Sequence, residues 1–450
     1  MTLSDVLKRF DESAITRVKI GAFDIDGILR GKLISRKKFE SSVVGGVGFC
    51  DVIFGWDMAD VLYDGVDVKV TGWNTGYPDA MGRIDMESCR LIPWEPGTAL
   101  LLLDLCGKDG SPLPMAPRSL LRSVVGKAEA LGYDPRFAAE YEFFIYRETP
   151  ESLREKGFRN LTPLSPGMFG YSVLRASAHS SLVLDIFDRM AEFNVPLEGL
   201  HTETGPGVYE AAVTVDKGLA AGDKAALFKT GVKEICARHQ LIPTFMAKVS
   251  PDLPGCGGHI HQSLWDKVKD KNLFHGGDGV MSDLMQFYIG GLVKYMPELL
   301  AMFAPTINSY KRMVTGTWAP VNASWGVDNR TAAVRAIPGR TKSARIEMRM
   351  PGADNNPYLG MAACLAAGLE GIDNQLDLPA AVTNAYDAGS GAPLPRTLAE
   401  ATARFRSSEM ARRWFGDAFV DHYAATRDWE VKQHSKAVTD WELSRYFESI

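Results

Sequence analysis

The chain has 450 residues, of which 46% are hydrophobic and 23% are charged, and its formal net charge at pH 7 is −5. This is the composition of an ordinary globular protein with room for a large core, and the length predicts two domains. The acidic balance gives no reason to expect a nucleic-acid partner, no apolar run is long enough to span a membrane, and the amino terminus lacks a secretion signal, so we expect a cytoplasmic protein.

Alternating apolar and polar residues predict strands in the first part of the chain. The alternation is clear over 17–25 and 28–33, and the apolar run 99–105 fits a buried strand. A stretch rich in proline and glycine at 110–117 interrupts the pattern. The sequence therefore predicts an amino-terminal domain over 1–112 and a second domain over 113–450.

Helical periodicity dominates the second predicted domain. The spacing of apolar residues predicts a helix over 118–131, which ends at Gly132, a residue that favours helix termination. Further helices are predicted over about 178–192, 217–239, 281–304, 357–373 and 397–415, and in the carboxyl-terminal stretch 418–450.

Glu140 and Glu142 alternate with apolar residues in the stretch 137–145. In a strand, residues i and i+2 face the same side, so both carboxylates share one face. A solvent-facing edge strand would show the same alternation, but the flanking aromatic and aliphatic residues argue against exposure. Two partly buried carboxylates repel unless a cation lies beside them, and oxygen ligands favour Mg²⁺ or Mn²⁺ over zinc. The stretch therefore predicts two adjacent cations or a bridged pair.

Two later segments carry further metal-binding residue types. Glu203 and Glu210 flank a Gly-Pro-Gly turn that lets the backbone approach a ligand, although a simple capped turn would explain it equally well. His259, His261 and Ser263 share one predicted strand face after a glycine-rich loop. A single histidine is usually structural, but this pair favours one metal ligand and one nucleotide contact.

Basic residues are concentrated between positions 311 and 349. A run of charge is usually a solvated face, but Arg345 and Arg349 flank Glu347 on one predicted strand face, and Arg330 and Arg335 lie among small apolar residues. Guanidinium groups aimed inward suit carboxylates and phosphates. A metal site with arginines, and without a nucleophilic serine or cysteine motif, favours phosphoryl transfer.

Taken in order, these segments resemble the glutamine synthetase superfamily over nearly the whole chain from about residue 15. The resemblance implies an α+β fold with an amino-terminal β-grasp domain and a catalytic domain built on a curved antiparallel sheet. It also implies a homo-oligomer, commonly a dodecamer of two stacked hexameric rings, with active sites between neighbouring subunits. The matching stretches are 140–144, 203–210, 258–264, 308–312, 319–321, 329–330, 345–349 and 356–359.

The resemblance also implies a role for each matching residue in an ATP-dependent ligase that uses two or three Mg²⁺ or Mn²⁺ ions. The ligands of one metal are Glu142, Glu203 and Glu210, and those of the second are Glu140, His259 and Glu347. The nucleotide and phosphate contacts are His261, Ser263, Arg335, Lys342 and Arg345. Glutamate is gripped by Arg312 and Arg349 beside the Gly255 loop, with Glu203 on the substrate side. Arg330 stabilises the transferring phosphate.

One departure from the family pattern concerns the nucleophile. Glutamine synthetases carry a glutamate on a mobile flap that takes a proton from ammonium, and here that position is Trp318, which cannot accept a proton. Asp57 matches the second acid of the ammonium site. The spacing of Glu203 and Glu210 is typical of the amine-ligase branch. These features favour a ligase that joins glutamate to an organic amine of aromatic or apolar character.

Three alternatives stay open from the sequence. The chain would be a glutamine synthetase that uses ammonia if another acid serves the nucleophile. It would be a γ-glutamylpolyamine or γ-glutamylethanolamide synthetase if the amine were cationic or hydroxylated. A non-catalytic homologue is disfavoured because all six candidate metal ligands are present.

Overall fold

The first β-sheet of the molecule lies within residues 17–106. In the computed structural model, which describes residues 1–66, 68 and 70–450, β1 and β6 run parallel, β2 pairs with β1, and β4 joins β6 to β3. The strands predicted over 17–25, 28–33 and 99–105 are confirmed. The elements of this part are α1 (Leu3–Glu12), β1 (Arg17–Phe23), β2 (Leu29–Ser35), α2 (Arg36–Gly45), β3 (Val47–Cys50), β4 (Asp79–Ile84), β5 (Arg90–Leu91) and β6 (Thr98–Cys106).

A second, ten-stranded sheet organises the rest of the chain. Its main path runs β17-β18-β19-β12-β7-β9-β8, and its pairs are antiparallel except for β17 with β18. The strands of residues 113–450 are β7 (Tyr133–Tyr146), β8 (Leu197–Thr202), β9 (Val208–Val213), β10 (Asp216–Lys217), β11 (Ile242–Thr244), β12 (Gly258–Asp266), β13 (Lys271–Asn272), β14 (His275–Gly277), β15 (Val280–Met281), β16 (Asn322–Ala323), β17 (Trp325–Val327), β18 (Val334–Ile337), β19 (Arg345–Met348) and β20 (Ala392–Pro393).

Helices cover one face of this sheet. The odd-numbered side chains of β7 from Pro135 to Ile145 are buried, and Tyr141 stacks on Phe228 of a long helix with ring centroids 5.8 Å apart. The even-numbered side chains, among them Glu140 and Glu142, point to the opposite face. The helices are α3 (Pro117–Ala130), α4 (Pro150–Glu155), α5 (Val173–Ala178), α6 (Ser180–Glu192), α7 (Gly218–Arg238), α8 (Asp283–Phe303), α9 (Pro357–Asp373), α10 (Leu398–Ser407), α11 (Glu409–Phe415), α12 (Asp417–His434) and α13 (Asp440–Tyr446).

Helix caps explain where the sequence prediction was wrong. The single helix expected over 397–415 is two helices, because the Ser408 side chain accepts the Ala411 N–H and starts α11. The helical stretch expected over 418–450 is also divided, since Thr439 and Glu442 form a capping box that starts α13. The helix expected over 178–192 begins at Ser180, after the short α5.

The buried hydrophobic residues form two clusters, one around the first sheet and one around the second. The α+β class predicted from the sequence is confirmed. The domain boundary between residues 112 and 113 stays a prediction. Within the described residues, none of the helices is both long enough and apolar enough to cross a membrane.

Candidate active site

Strand register brings acids and histidines together on the uncovered face of the second sheet. Glu140 of β7 lies opposite His259 of β12, and Glu142 of β7 lies opposite Glu210 of β9. His201 of β8 lies opposite Glu210 on its other side. Because paired residues in a sheet face the same side, the backbone ladder fixes these side chains beside one another.

The other half of the face comes from β19 and β18. Glu347 lies opposite His261 on one side and opposite Arg335 on the other. The side chain of Glu347 is 1% exposed and accepts from Arg335 Nη1 at 2.9 Å. It also pairs with Arg349, two residues along the chain. A buried carboxylate is thus held between two guanidinium groups.

Glu140, His259 and Glu347 meet in one group. His259 Nδ1 lies 3.1 Å from Glu140 Oε1 and 3.4 Å from Glu347 Oε1. Each residue offers one donor atom, and these atoms lie within 4.8 Å of one another. The structure therefore brings together the three residues predicted for the second metal, and their role as ligands stays a prediction.

The residues predicted for the other metal divide into two overlapping groups. Glu142 and Glu210 converge with His259, whereas Glu203 and Glu210 converge with His201. His201 Nε2 lies 3.3 Å from an oxygen of Glu203 and 3.3 Å from an oxygen of Glu210. Sequence reasoning missed His201, although its position two residues before Glu203 was a usable signal.

The acidic face is the uncovered surface of the second sheet that carries these carboxylates, and its two ends differ in the balance of charge. Burial opposes the ionisation of Glu347, but His259, Arg349 and other neighbours outweigh it and lower the pKa of Glu347 to about 2. At the other end, burial and then repulsion from Glu140, Glu142 and Glu203 raise the pKa of Glu210 to about 9. The positive charge of Arg349 lowers the pKa of Glu210 but does not offset the burial and the repulsion. A divalent cation would supply the remaining positive charge, and the oxygen-rich donor set fits Mg²⁺ or Mn²⁺.

Two predicted glutamate-binding residues lie in a tight packing arrangement. Arg312 is 5% exposed, and its terminal nitrogens donate to the carbonyls of Met350 at 3.0 Å and Arg349 at 3.1 Å. A Cβ on Gly255 would lie 2.7 Å from Cγ of Arg312, so only glycine fits there without a shift. The Arg349 Nε donates to the carbonyl of Arg330 at 3.2 Å, while the Arg330 side chain is exposed.

A cavity of about 320 Å³ adjoins Glu140 on the same face of the sheet. Four of the five residues predicted for nucleotide contact line it: His261, Ser263, Lys342 and Arg345. The fifth, Arg335, is not part of this lining and instead binds Asp328 and Glu347.

Sequence reasoning missed other lining residues of the cavity, among them Arg136, Glu198 and Trp265. The Arg136 guanidinium lies 3.8 Å from the centre of the Trp265 ring. The Trp265 Nε1 donates to Ser263 Oγ at 3.0 Å. The alternation of His261 and Ser263 on β12 continues to Trp265, and this continuation was the usable signal.

The family model "Glutamine synthetase, catalytic domain" matches residues 114–446. The "Type-1 glutamine synthetase 2" of Dictyostelium discoideum is 47% identical over 99% of this chain and 86% of its own length. The chain belongs to the glutamine synthetase family. A "Glutamate--isopropylamine ligase" of a Pseudomonas species is 40% identical over 97% of this chain and 96% of its own. A solved structure described as "Apo GmaS without ligand" has a TM-score of 0.86 and 27% identity, covering 99% of this chain and all of the other.

Membership of the glutamine synthetase family gives the chain its reaction class. It is an ATP-dependent carbon–nitrogen ligase. Enzymes of the family use ATP and divalent metals, and the carboxylate and histidine groups described above could bind such ions.

Residues 313–321, at the position predicted for the flap, present Trp318 to solvent. The Trp318 side chain is 66% exposed, and its φ of +61° lies in the left-handed region, which is unusual for a bulky residue. Asp57, the other predicted nucleophile-site residue, accepts the N–H groups of Ala59 and Val61 and the Nε1 of Trp429 at 2.9 Å. No hydrogen bond or ion pair among the described residues connects Asp57 to the acidic face.

Proposed function

We propose that the chain joins the γ-carboxylate of L-glutamate to an organic amine, giving a γ-glutamylamide, ADP and phosphate. A γ-carboxylate oxygen attacks the γ-phosphorus of ATP, which forms γ-glutamyl phosphate and releases ADP. The amine nitrogen then attacks the acyl carbon, the carbon–oxygen bond to phosphate breaks, and the amine loses a proton to a base. An aromatic or apolar amine fits the surface near the flap best.

The acidic face would hold two metal ions. Glu140, His259 and Glu347 would hold one ion, and the carboxylates around Glu210 would hold another. Bound Mg²⁺ or Mn²⁺ neutralises phosphate oxygens and the carboxylates that hold it. The exposed guanidinium of Arg330 is free to reach a transferring phosphate, and Arg349 holds the Arg330 carbonyl in place.

The observation that carries the amine proposal is the chemistry of the flap. Residues 313–321 contain no acid, and Trp318 is their most prominent side chain. Ammonium must lose a proton before it attacks, so an enzyme that uses it benefits from a nearby carboxylate. An indole instead offers apolar surface and an aromatic face to a larger amine. The name of the Pseudomonas relative, with an apolar amine in it, supports this proposal.

Ammonia is the second candidate nucleophile. The Dictyostelium relative, at 47% identity, carries the name of a glutamine synthetase. In that case another acid, for example Asp57 from a neighbouring subunit, would accept the proton.

Phosphate release measured with ATP, glutamate and a panel of nucleophiles tests the proposal. The panel contains ammonium, isopropylamine, aniline, ethanolamine and a polyamine, each with Mg²⁺ and with Mn²⁺. We expect isopropylamine or aniline to give the highest kcat/KM. If ammonium exceeds every organic amine, the amine proposal is wrong and the chain is a glutamine synthetase. If the polyamine is preferred, the argument from an acid-poor flap is wrong.

We also propose that the chain assembles as a homo-oligomer, a dodecamer of two stacked hexameric rings. Large apolar side chains of the carboxyl-terminal stretch are exposed: Trp441 is 61% exposed, Phe447 80% and Ile450 96%. Exposed apolar patches of this kind mark interaction surfaces. Light scattering should then give a mass near twelve times 49.3 kDa.

A further inference from the structure

The segment 379–393, which follows α9 and ends in β20, is irregular and mostly exposed, yet it is bonded to two functional loops. On one side it reaches the flap. The Tyr386 hydroxyl donates to the carbonyl of Ala319, next to Trp318, at 3.2 Å. Just beyond the flap, Asn322 Nδ2 donates to the carbonyl of Ala385 at 2.6 Å and to Ser390 Oγ at 3.0 Å.

On its other side the same segment holds the loop that carries Arg330. The Ala385 N–H donates to Thr331 Oγ1 at 3.0 Å. Asn329 Nδ2 donates to the carbonyls of Val382 at 2.7 Å and Thr383 at 3.0 Å. Arg330 lies between these two anchored residues, so its backbone is fixed while its side chain stays exposed.

Trp318 needs such support more than its neighbours do. Its φ of +61° is costly for a bulky side chain, and such a conformation persists only when its surroundings hold it. Among the described residues, Tyr386 is the one side chain outside the flap that hydrogen-bonds to residues 313–321. Removing its hydroxyl therefore removes the main external restraint on the flap.

We propose that Tyr386 is a positioning residue that holds Trp318 at the entrance for the nucleophile, and that the segment 379–393 couples this entrance to the Arg330 loop. The proposal rests on the proposed function in one respect, that the nucleophile enters beside Trp318. It does not depend on whether that nucleophile is an amine or ammonia.

The test compares Tyr386→Phe with the wild type and with Tyr133→Phe. Tyr133 is a matched control because it is also half-buried and its hydroxyl makes no hydrogen bond within the described residues. Loss of one neutral hydrogen bond corresponds to a factor of about 2 to 12, so we expect hydrogen exchange over 313–321 to quicken by that factor in Tyr386→Phe. The KM for the nucleophile should rise by a similar factor, while kcat and the KM values for ATP and glutamate stay within about twofold.

A second variant tests the coupling from the other anchor. Thr331→Val removes the acceptor of the Ala385 N–H, and because the segment 379–393 joins the two loops, we expect it to lower kcat and also to quicken hydrogen exchange over 313–321 by about 2- to 12-fold. The exchange measurement needs no nucleophile, so it stands even if the amine panel identifies ammonia. If exchange over 313–321 in Tyr386→Phe matches that in Tyr133→Phe, or if Thr331→Val leaves exchange over 313–321 as it is in the wild type, the proposal is overturned.

Discussion

In the proposed reaction the acidic face binds the metal ions and the flap receives the nucleophile. The two regions are held in place by different means. The strands that carry Glu140, Glu210 and Glu347 are each paired with a neighbour on both sides. The flap has no regular structure, and among the residues that the structure describes one external side chain hydrogen-bonds to it. Glu347 is 1% exposed, whereas Trp318 is 66% exposed.

This difference separates what the fold fixes from what it leaves adjustable. A change in the acidic face must disturb buried charges and their partners, so it should cost both stability and activity. A change at Trp318 meets few neighbours, so it should alter the choice of nucleophile and leave the rest of the enzyme intact. Three substitutions test that separation.

The largest loss of stability and activity is expected for Glu347→Gln. It leaves the guanidinium groups of Arg335 and Arg349 without their buried anion. Breaking a buried pair in this way costs roughly 3–5 kcal/mol, which urea unfolding would measure. Activity should fall by at least about 100-fold, the upper range found even for groups that only support a metal ligand.

Asp328→Asn is the matched control for this variant. Asp328 pairs with the same Arg335, but its side chain is 68% exposed. Exposed pairs contribute at most about 1 kcal/mol, so the loss of stability should be small. Equal losses for the two variants would contradict the distinction between buried and exposed partners of Arg335.

An intermediate effect on the free energy of unfolding is expected for Glu210→Gln, and its sign should depend on whether a divalent metal ion is bound. In metal-free protein at pH 7, folding must give Glu210 a proton or bury an unbalanced charge, because its pKa is raised to about 9. The glutamine variant avoids this cost, so in EDTA it should be more stable than the wild type by about 1–3 kcal/mol.

With excess Mn²⁺ the order should reverse, because the wild type gains a ligand oxygen that the variant lacks. Urea unfolding in EDTA and in Mn²⁺ measures both values. Glu198→Gln, which changes an exposed carboxylate at the cavity rim, should show no such dependence. A Glu210→Gln variant destabilised to the same extent in both conditions would count against a cation beside Glu210.

The smallest effect on stability is expected for Trp318→Glu. Stability should stay within about 0.5 kcal/mol because the side chain is exposed. The ratio of kcat/KM for ammonium to that for the best organic amine should rise by about 10-fold or more, since the new carboxylate accepts a proton from ammonium. Val314→Glu places the same charge elsewhere on the flap and should leave the ratio unchanged. An unchanged ratio in Trp318→Glu would remove Trp318 from the nucleophile site.

Sequence patterns predicted those parts of the site that depend on local geometry. Alternation in β7 and β12 placed Glu140, Glu142 and His259 on shared faces, because the period of a strand is independent of its partners. The grouping of Glu210 with His201 depends on how β8 and β9 pair, which no single segment specifies. The short cap at Ser408 was also missed, since helical periodicity continues through it.

Asp57 illustrates a second limit on what a sequence pattern can predict. Its residue type fits a proton acceptor, but its carboxylate is bonded to Trp429, far along the chain, in this structure. In the proposed oligomer a neighbouring subunit would bring the nucleophile to Asp57, and a pattern within one chain does not specify that.

The strand β7 presents aromatic side chains to the helices and carboxylates to the opposite face. Shifting it by one residue would exchange the two sets, so that glutamates would enter the apolar interior and aromatic rings would occupy the acidic face. A mispaired sheet would therefore lose its core and its catalytic groups at once. Misfolded molecules of this kind should be unstable enough to unfold again, so a population of folded but inactive enzyme with slipped strands should not accumulate.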